Sequence, residues 1–266
     1  MKNSVLAITG ATSGIGRALA IEGARRGARI AACARNADQL ESLRLEVEAL
    51  GQPCLCMTVD VSQESQCQQF IQAIEAQYGQ LDVLINNAGI SMRALFHELD
   101  LNVLKQVMDV NFWGTAFCSR YAMPLLLKSQ GSLVGISSVA GFQGLPGRTG
   151  YCASKFAVHG LLEAIRLENL ASGLHVLICC PGFTASNIRN TALNAQGKPQ
   201  GESPRDEQKM MTAAQVAIHT LNAVVQRKPK LVLTAQGKLT YFLGKFLPSF
   251  INKQVVKVFD RENKSK

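Results

Sequence analysis

The sequence predicts a doubly wound α/β domain. Three observations carry that prediction: short apolar β-rich runs alternate with longer amphipathic segments, a glycine-rich turn follows the first run, and small residues end the later ones. Seven runs read as strands: Val5–Thr9, Ala28–Ala34, Cys54–Val59, Val83–Asn86, Ser132–Ser137, His175–Cys179 and Leu231–Thr234. They alternate little between polar and apolar, as strands of a parallel sheet covered by helices on both faces do. Helix-compatible segments lie at about 15–37, 38–50, 63–78, 100–129, 151–172 and 212–227. The expected architecture is one seven-stranded parallel sheet within residues 1–236, followed by a tail over 237–266. Residues 183–211 are long, polar and punctuated by Gly and Pro after a strand end. Ligands of open α/β sheets sit outside the carboxyl ends of strands, so this stretch is expected to be a lid.

Composition narrows the function. The 266 residues are 47% apolar and contain no run of about 18 apolar residues, and no signal peptide is visible, so a cytosolic protein is expected. Eight cysteines (33, 54, 56, 67, 118, 152, 179 and 180) form no CxxC pair, and His97, His159, His175 and His219 lie far apart. This spacing offers no metal-ligand set and suits buried thiols in a reducing compartment. The net charge of +9 is concentrated at one end: from Arg227 onward ten Lys and Arg face Asp260 and Glu262, leaving +1 on the first 226 residues. The body is therefore not a nucleic-acid-binding domain, while the tail can meet an anionic surface.

Thr9-Gly10-Ala11-Thr12-Ser13-Gly14-Ile15-Gly16 joins the first strand to the first helix. Glycines there permit a tight turn and close backbone approach, and the free N–H groups of a helix N-terminus attract a pyrophosphate. The end of the second strand reads Cys33-Ala34-Arg35-Asn36, a cation where NAD-binding versions carry an acid. A guanidinium binds a 2′-phosphate with charge-assisted hydrogen bonds worth about 1.5–3 kcal/mol, which favours NADP(H).

Tyr151 and Lys155 stand four residues apart at a helix start, one turn from each other on one face. Lowering a phenol from pKa ~10 to ~7 takes roughly 4 kcal/mol, and one ammonium at about 4 Å in an effective dielectric near 20 supplies that order of energy. Ser137-Ser138 ends the fifth predicted strand thirteen residues before Tyr151, where a hydroxyl can polarise a carbonyl. Asn86-Asn87-Ala88-Gly89 ends the fourth, where small residues let backbone lie along a cofactor.

With these motifs together, residues 4–235 resemble the short-chain dehydrogenase/reductase family in its single-domain form, which implies a Rossmann fold. The resemblance implies a role for each matching residue. Gly10, Thr12, Ser13, Gly14, Ile15 and Gly16 would form the cofactor turn, Asp60 and Val61 the adenine-contacting pair, and Asn87, Ala88 and Gly89 the segment along the ribose. Pro181, Gly182 and Ser186 would bind the nicotinamide carboxamide, with serine in place of the usual threonine. Ser138, Tyr151 and Lys155 would be catalytic, and Asn111 would help hold a water that relays protons to Lys155. Arg35 is placed like the basic residue of NADP-preferring members. The implied reaction is reduction of a carbonyl by hydride transfer from NADPH, with Tyr151 donating the proton. Self-association as a dimer or tetramer is implied as well.

Met92, Leu95, Phe142, Leu145, Phe183, Ile188, Leu193, Met210 and Met211 follow strand ends and are expected to line an apolar pocket, or else to pack the lid on the body. Arg93 and Arg148 can anchor an anionic acyl-thioester carrier, although solvated side chains are expected there. In the tail, Leu239, Phe242, Leu243 and Phe246 share a helical stripe; Pro248 interrupts it, and Phe250, Ile251, Val255, Val256, Val258 and Phe259 resume it among lysines. Such a segment packs at a subunit interface or lies on an anionic membrane, the interface being preferred because a Pro-broken stripe is a weak membrane signal. The tail also resembles the C-terminal extensions of membrane-associated lipid- and steroid-reducing relatives. Two other readings stay open beside the carbonyl reductase, which include a 3-oxoacyl-thioester reductase as a variant: a noncatalytic NADP(H)-binding regulator, and an isomerase or dehydratase on the same fold.

Overall fold

The computed structural model describes residues 1–184, 188–201 and 210–264, the last three by backbone alone. Among these residues one seven-stranded parallel sheet forms, in the order β3-β2-β1-β4-β5-β6-β7. The strands are β1 (Val5–Thr9), β2 (Arg29–Ala34), β3 (Cys54–Thr58), β4 (Val83–Asn86), β5 (Ser132–Ile136), β6 (His175–Cys180) and β7 (Lys230–Val232), each within two residues of its expected span. The helices are α1 (Gly14–Arg25), α2 (Ala37–Ala49), α3 (Glu64–Tyr78), α4 (Leu101–Met108), α5 (Gly114–Lys128), α6 (Thr149–Glu168), α7 (Ala213–Val225), α8 (Ala235–Phe246) and α9 (Pro248–Lys264).

The strands' period of two divides the core. Leu6, Ile8, Ile30, Ile85, Val134 and Leu177 face one layer with α1, α2 and α7, while Val5, Ala7, Leu84, Leu133, Val176 and Ile178 face the other with α3, α5 and α6. Every one of these strand side chains is buried, which is why the runs lack polar alternation. Strand order reverses between β1 and β4, and a crevice opens there at the carboxyl ends of the strands.

Two helical expectations need correction. The segment expected over 15–37 ends at Arg25, because Gly27 adopts φ +81° and the chain re-enters the sheet as β2. The segment expected over 100–129 contains a π-helical turn at Asp109–Trp113 between α4 and α5. That bulge is anchored by Asn111, whose side chain bonds the backbone of Ile90 in both directions.

The tail folds back on its own chain. Ile251 is buried, Asn252 accepts a hydrogen bond from Gln143 at 3.1 Å, and the ring of Phe259 lies against Gly147. No helix among the described residues is long and apolar enough to cross a membrane. All eight cysteines are free.

Candidate active site

A cleft of about 770 Å³ runs along the carboxyl ends of the strands. At its β1 end, Gly10 and Gly14 take positive φ, and a Cβ at Gly16 would fall on the Gly10 carbonyl oxygen and the Asn87 amide. Asn87 itself donates to the carbonyls of Thr9 and Gly10 at 2.9 and 3.0 Å, and Thr9 Oγ1 accepts from the backbone N–H groups of Asn87 and Ala88. Thr9 is a part of this lock that the sequence reading missed, although its place before Gly10 was in view.

Ser13 caps α1 without a side-chain hydrogen bond, and no acidic residue occupies the first turn. The leading N–H groups of α1 therefore remain available to an anion, and together with the side-chain-free cradle at Gly10 and Gly14 they fit a dinucleotide phosphate. Thr12, Ser13, Gly14, Ile15, Asp60, Val61, Asn87, Ala88, Gly89, Pro181 and Gly182 all line the cleft. Gly16 lies behind it as a packing position. Arg35 is exposed on the cleft wall beside Asn36 and Gln39, with no ion pair among the described residues. Asp60 accepts from the backbone and hydroxyl of Ser62. Ser186 lies outside the described residues.

At the β5 end the four expected catalytic residues come together. Tyr151 and Lys155 share one face of α6, and Ser138 at the exit of β5 lies beside the Tyr151 hydroxyl. Lys155 is buried and its Nζ donates to the Ile136 carbonyl at 2.9 Å, lying 5.8 Å from the centre of the Tyr151 ring. Asn111, fully buried, also donates to Ser154 Oγ at 2.9 Å. A Cβ at Gly89 would lie 3.2 Å from Asn111 Oδ1 and 3.5 Å from Lys155 Nζ, so the two groups flank one small gap.

The electrostatics depart from expectation. Burial raises the Tyr151 phenol above its ordinary value, against the opposing pull of the Ser138 hydrogen bond and of Arg148. The same burial lowers Lys155 to about 8. The expected depression of the phenol by the amine is absent because desolvation opposes both charged forms and Lys155 turns its ammonium to a backbone carbonyl. Tyr151 is thus set as a phenol, a proton donor.

Of the nine residues expected in the pocket, Leu145, Phe183, Ile188 and Leu193 line the cleft. Met92 is buried in a side cluster with Val103 and Leu193, and Phe142 packs edge-on to Tyr241 at 5.1 Å. Leu95 lies outside the cleft lining, the Met210 sulfur faces Arg189 at 3.0 Å, and Met211 packs on the sheet core. Arg148 is not solvated as expected: it lines the cleft and donates to Ser91 Oγ at 2.8 Å. Part of the apolar wall comes from the tail, through Ile251, Val255, Val258 and Phe259 of α9. No cluster among the described residues could hold a metal ion.

The profile described as short chain dehydrogenase matches residues 4–197, where the turn and the Ser138–Tyr151–Lys155 group lie. The chain belongs to the short-chain dehydrogenase/reductase family. It is 30% identical over its whole length to the dehydrogenase/reductase SDR family protein 7-like of Drosophila melanogaster, covering 84% of that protein. Over 73% of its length it is 41% identical to 11-beta-hydroxysteroid dehydrogenase A of Arachis hypogaea, of which it spans 56%. Among solved structures, a short chain dehydrogenase/reductase of Burkholderia phymatum in complex with NAD superposes with TM-score 0.79 at 26% identity, covering 92% of this chain and 95% of that one. As a member of an oxidoreductase family that binds nicotinamide dinucleotides, this short-chain dehydrogenase/reductase has the fold its sequence implies.

Proposed function

We propose that this chain is an NADP(H)-dependent oxidoreductase that interconverts a hydrophobic ketone or aldehyde and a secondary alcohol. The observation that carries the reading is Tyr151, half-buried and held as a phenol beside Ser138, lining the same cleft as a set of apolar side chains. Ser138 and Tyr151 orient the substrate oxygen, and Tyr151 gives its proton to the developing alkoxide. Lys155, on the same helix face, returns a proton to Tyr151, with Asn111 across the Gly89 gap holding the relay water. The dinucleotide, when bound, supplies or accepts the hydride. The α1 N-terminus, Asn87–Gly89 and Pro181–Gly182 would hold it.

Arg35 supports a preference for the 2′-phosphorylated cofactor: it is exposed at the end of β2, where an acid would select NAD. The apolar wall of Leu145, Ile188, Leu193, Val255 and Val258 supports a steroid-like or lipid-like substrate, in keeping with the name of the Arachis relative. NADPH consumption measured against apolar ketones, a sugar ketone and a 3-oxoacyl thioester tests the reading. Turnover of the apolar ketones is expected; a preference for the thioester replaces the substrate class, and no consumption with any carbonyl overturns the proposal.

A further inference from the structure

Three consecutive residues at the exit of β5 are held by three residues of α6 spaced four apart. Lys155 Nζ donates to the Ile136 carbonyl at 2.9 Å, His159 Nε2 lies 2.8 Å from Ser137 Oγ, and Tyr151 meets Ser138. Positions 151, 155 and 159 share one helix face, so the strand exit is clamped along that face. The first and third contacts belong to the proposed chemistry. The middle one joins two residues the chemistry does not use, and both are buried, Ser137 at 5% exposure and His159 at 7%.

The clamp is tight. A Cβ at Gly141 would fall 2.6 Å from both His159 Nε2 and Ser137 Oγ, so the turn Val139–Gly141 rests directly on this pair. That turn begins at Ser138, whose Oγ accepts from the Ala140 N–H at 3.2 Å. Displacing Ser137 therefore displaces the Ser138 hydroxyl.

We propose that His159 is a positioning residue for the Ser138–Tyr151 pair: through Ser137 it holds the β5 exit in the orientation that keeps the Ser138 hydroxyl on the phenol. The inference rests on the reading of Tyr151 as proton donor. His159 touches neither the substrate nor the cofactor in this role. The groups facing it are Lys155 and Glu163 on α6, Cys180 at 3.6 Å from β6, and Lys230 on β7, which is paired with Glu163 at 3.0 Å. Burial first, then Lys230, push the imidazole down to about 4, so it stays neutral over the range in which tyrosine chemistry is followed. The groups facing Tyr151 are Ser138, Arg148, Cys152, Cys180 and Lys155, whose Nζ lies 5.8 Å from the ring centre.

His159→Leu, His159→Gln and Ser137→Ala in the full chain test this, with acetophenone and NADPH as the assay pair. For His159→Leu and Ser137→Ala, kcat is expected to fall roughly ten- to hundredfold while the KM for NADPH stays unchanged, since misplacement of a catalytic hydroxyl acts on turnover. The ionisation of Tyr151, read by ultraviolet titration against a Tyr151→Phe background, is expected to move to higher pH because the Ser138 hydrogen bond that favours the phenolate is weakened. His159→Gln, which keeps a nitrogen within reach of Ser137, is expected to restore most of both. Ser137→Ala carries the test if His159→Leu does not fold. Unchanged kcat and titration in Ser137→Ala, or a lower melting temperature with the Tyr151 titration unmoved, overturns the proposal. If the wild-type chain reduces no carbonyl, the functional reading fails while the Tyr151 titration still decides the clamp.

Discussion

Arg35 and Lys155 are the residues whose chemistry depends most on place. Arg35 is exposed at the end of β2 with no ion-pair partner among the described residues, so its guanidinium is available to a phosphate. Arg35→Ala is expected to raise the KM for NADPH about tenfold or more and to leave that for NADH unchanged, as loss of a charge-assisted pair predicts. Steady-state kinetics with both cofactors checks this. Lys155 is held at about 8 by burial, so it loses its proton as pH rises through that value. Tyr151, raised above its ordinary range, keeps its proton over the same interval. Reductive turnover is therefore expected to hold below pH about 8 and to decline above it as the ammonium that reprotonates Tyr151 disappears. A kcat–pH profile that stays flat to about pH 10 contradicts this assignment.

At the scale of elements, strand ends are legible in the sequence. Thr9-Gly10, Asn86-Asn87, Ser137-Ser138 and Pro181-Gly182 each interrupt an apolar run where the strand leaves the sheet, and each reaches the cleft. The π-helical turn at Asp109–Trp113 is not legible, because residues 100–129 keep a helical pattern and the bulge follows from the contact of Asn111 with the distant Ile90. The sign of the Tyr151 shift is hidden for the same reason: spacing places Lys155 near the phenol, but burial and the Ile136 carbonyl decide where its charge points. The destination of the tail is hidden too. Its apolar stripe is visible, yet helix period alone does not say whether it meets a membrane, a second copy or its own body. In the structure α9 turns Val255 and Val258 into the cleft. Val255→Trp is expected to lower kcat/KM for bulky apolar ketones by about tenfold or more with cofactor affinity unchanged, since a large side chain overfills an apolar wall.

Across the whole molecule, the reversal of strand order between β1 and β4 brings the cofactor cradle and the Tyr151 end into one crevice, and the tail closes its apolar side. The outward side of α8 and α9 keeps Leu239, Phe242, Phe246, Leu247, Phe250 and Val256 exposed among Lys238, Lys245, Lys253 and Lys257. Exposed apolar side chains interleaved with lysines can be covered by a second copy of the chain or by an anionic lipid surface, and the two are separable by experiment. The variant Phe242→Ser/Phe246→Ser/Phe250→Ser is expected to sediment as a smaller species than the wild type with turnover retained. Flotation of the wild type with anionic vesicles, lost in the same variant, assigns the strip to a lipid surface instead.

Turnover depends on one group, the Tyr151 hydroxyl, moving one proton. Single-turnover oxidation of NADPH by an apolar ketone, followed in the wild type and in Tyr151→Phe with cofactor binding measured by fluorescence, reads that group directly. Loss of turnover by about a hundredfold or more with NADPH affinity unchanged is the predicted result, in line with removal of a general acid. Oxidation at the wild-type rate in Tyr151→Phe contradicts the account.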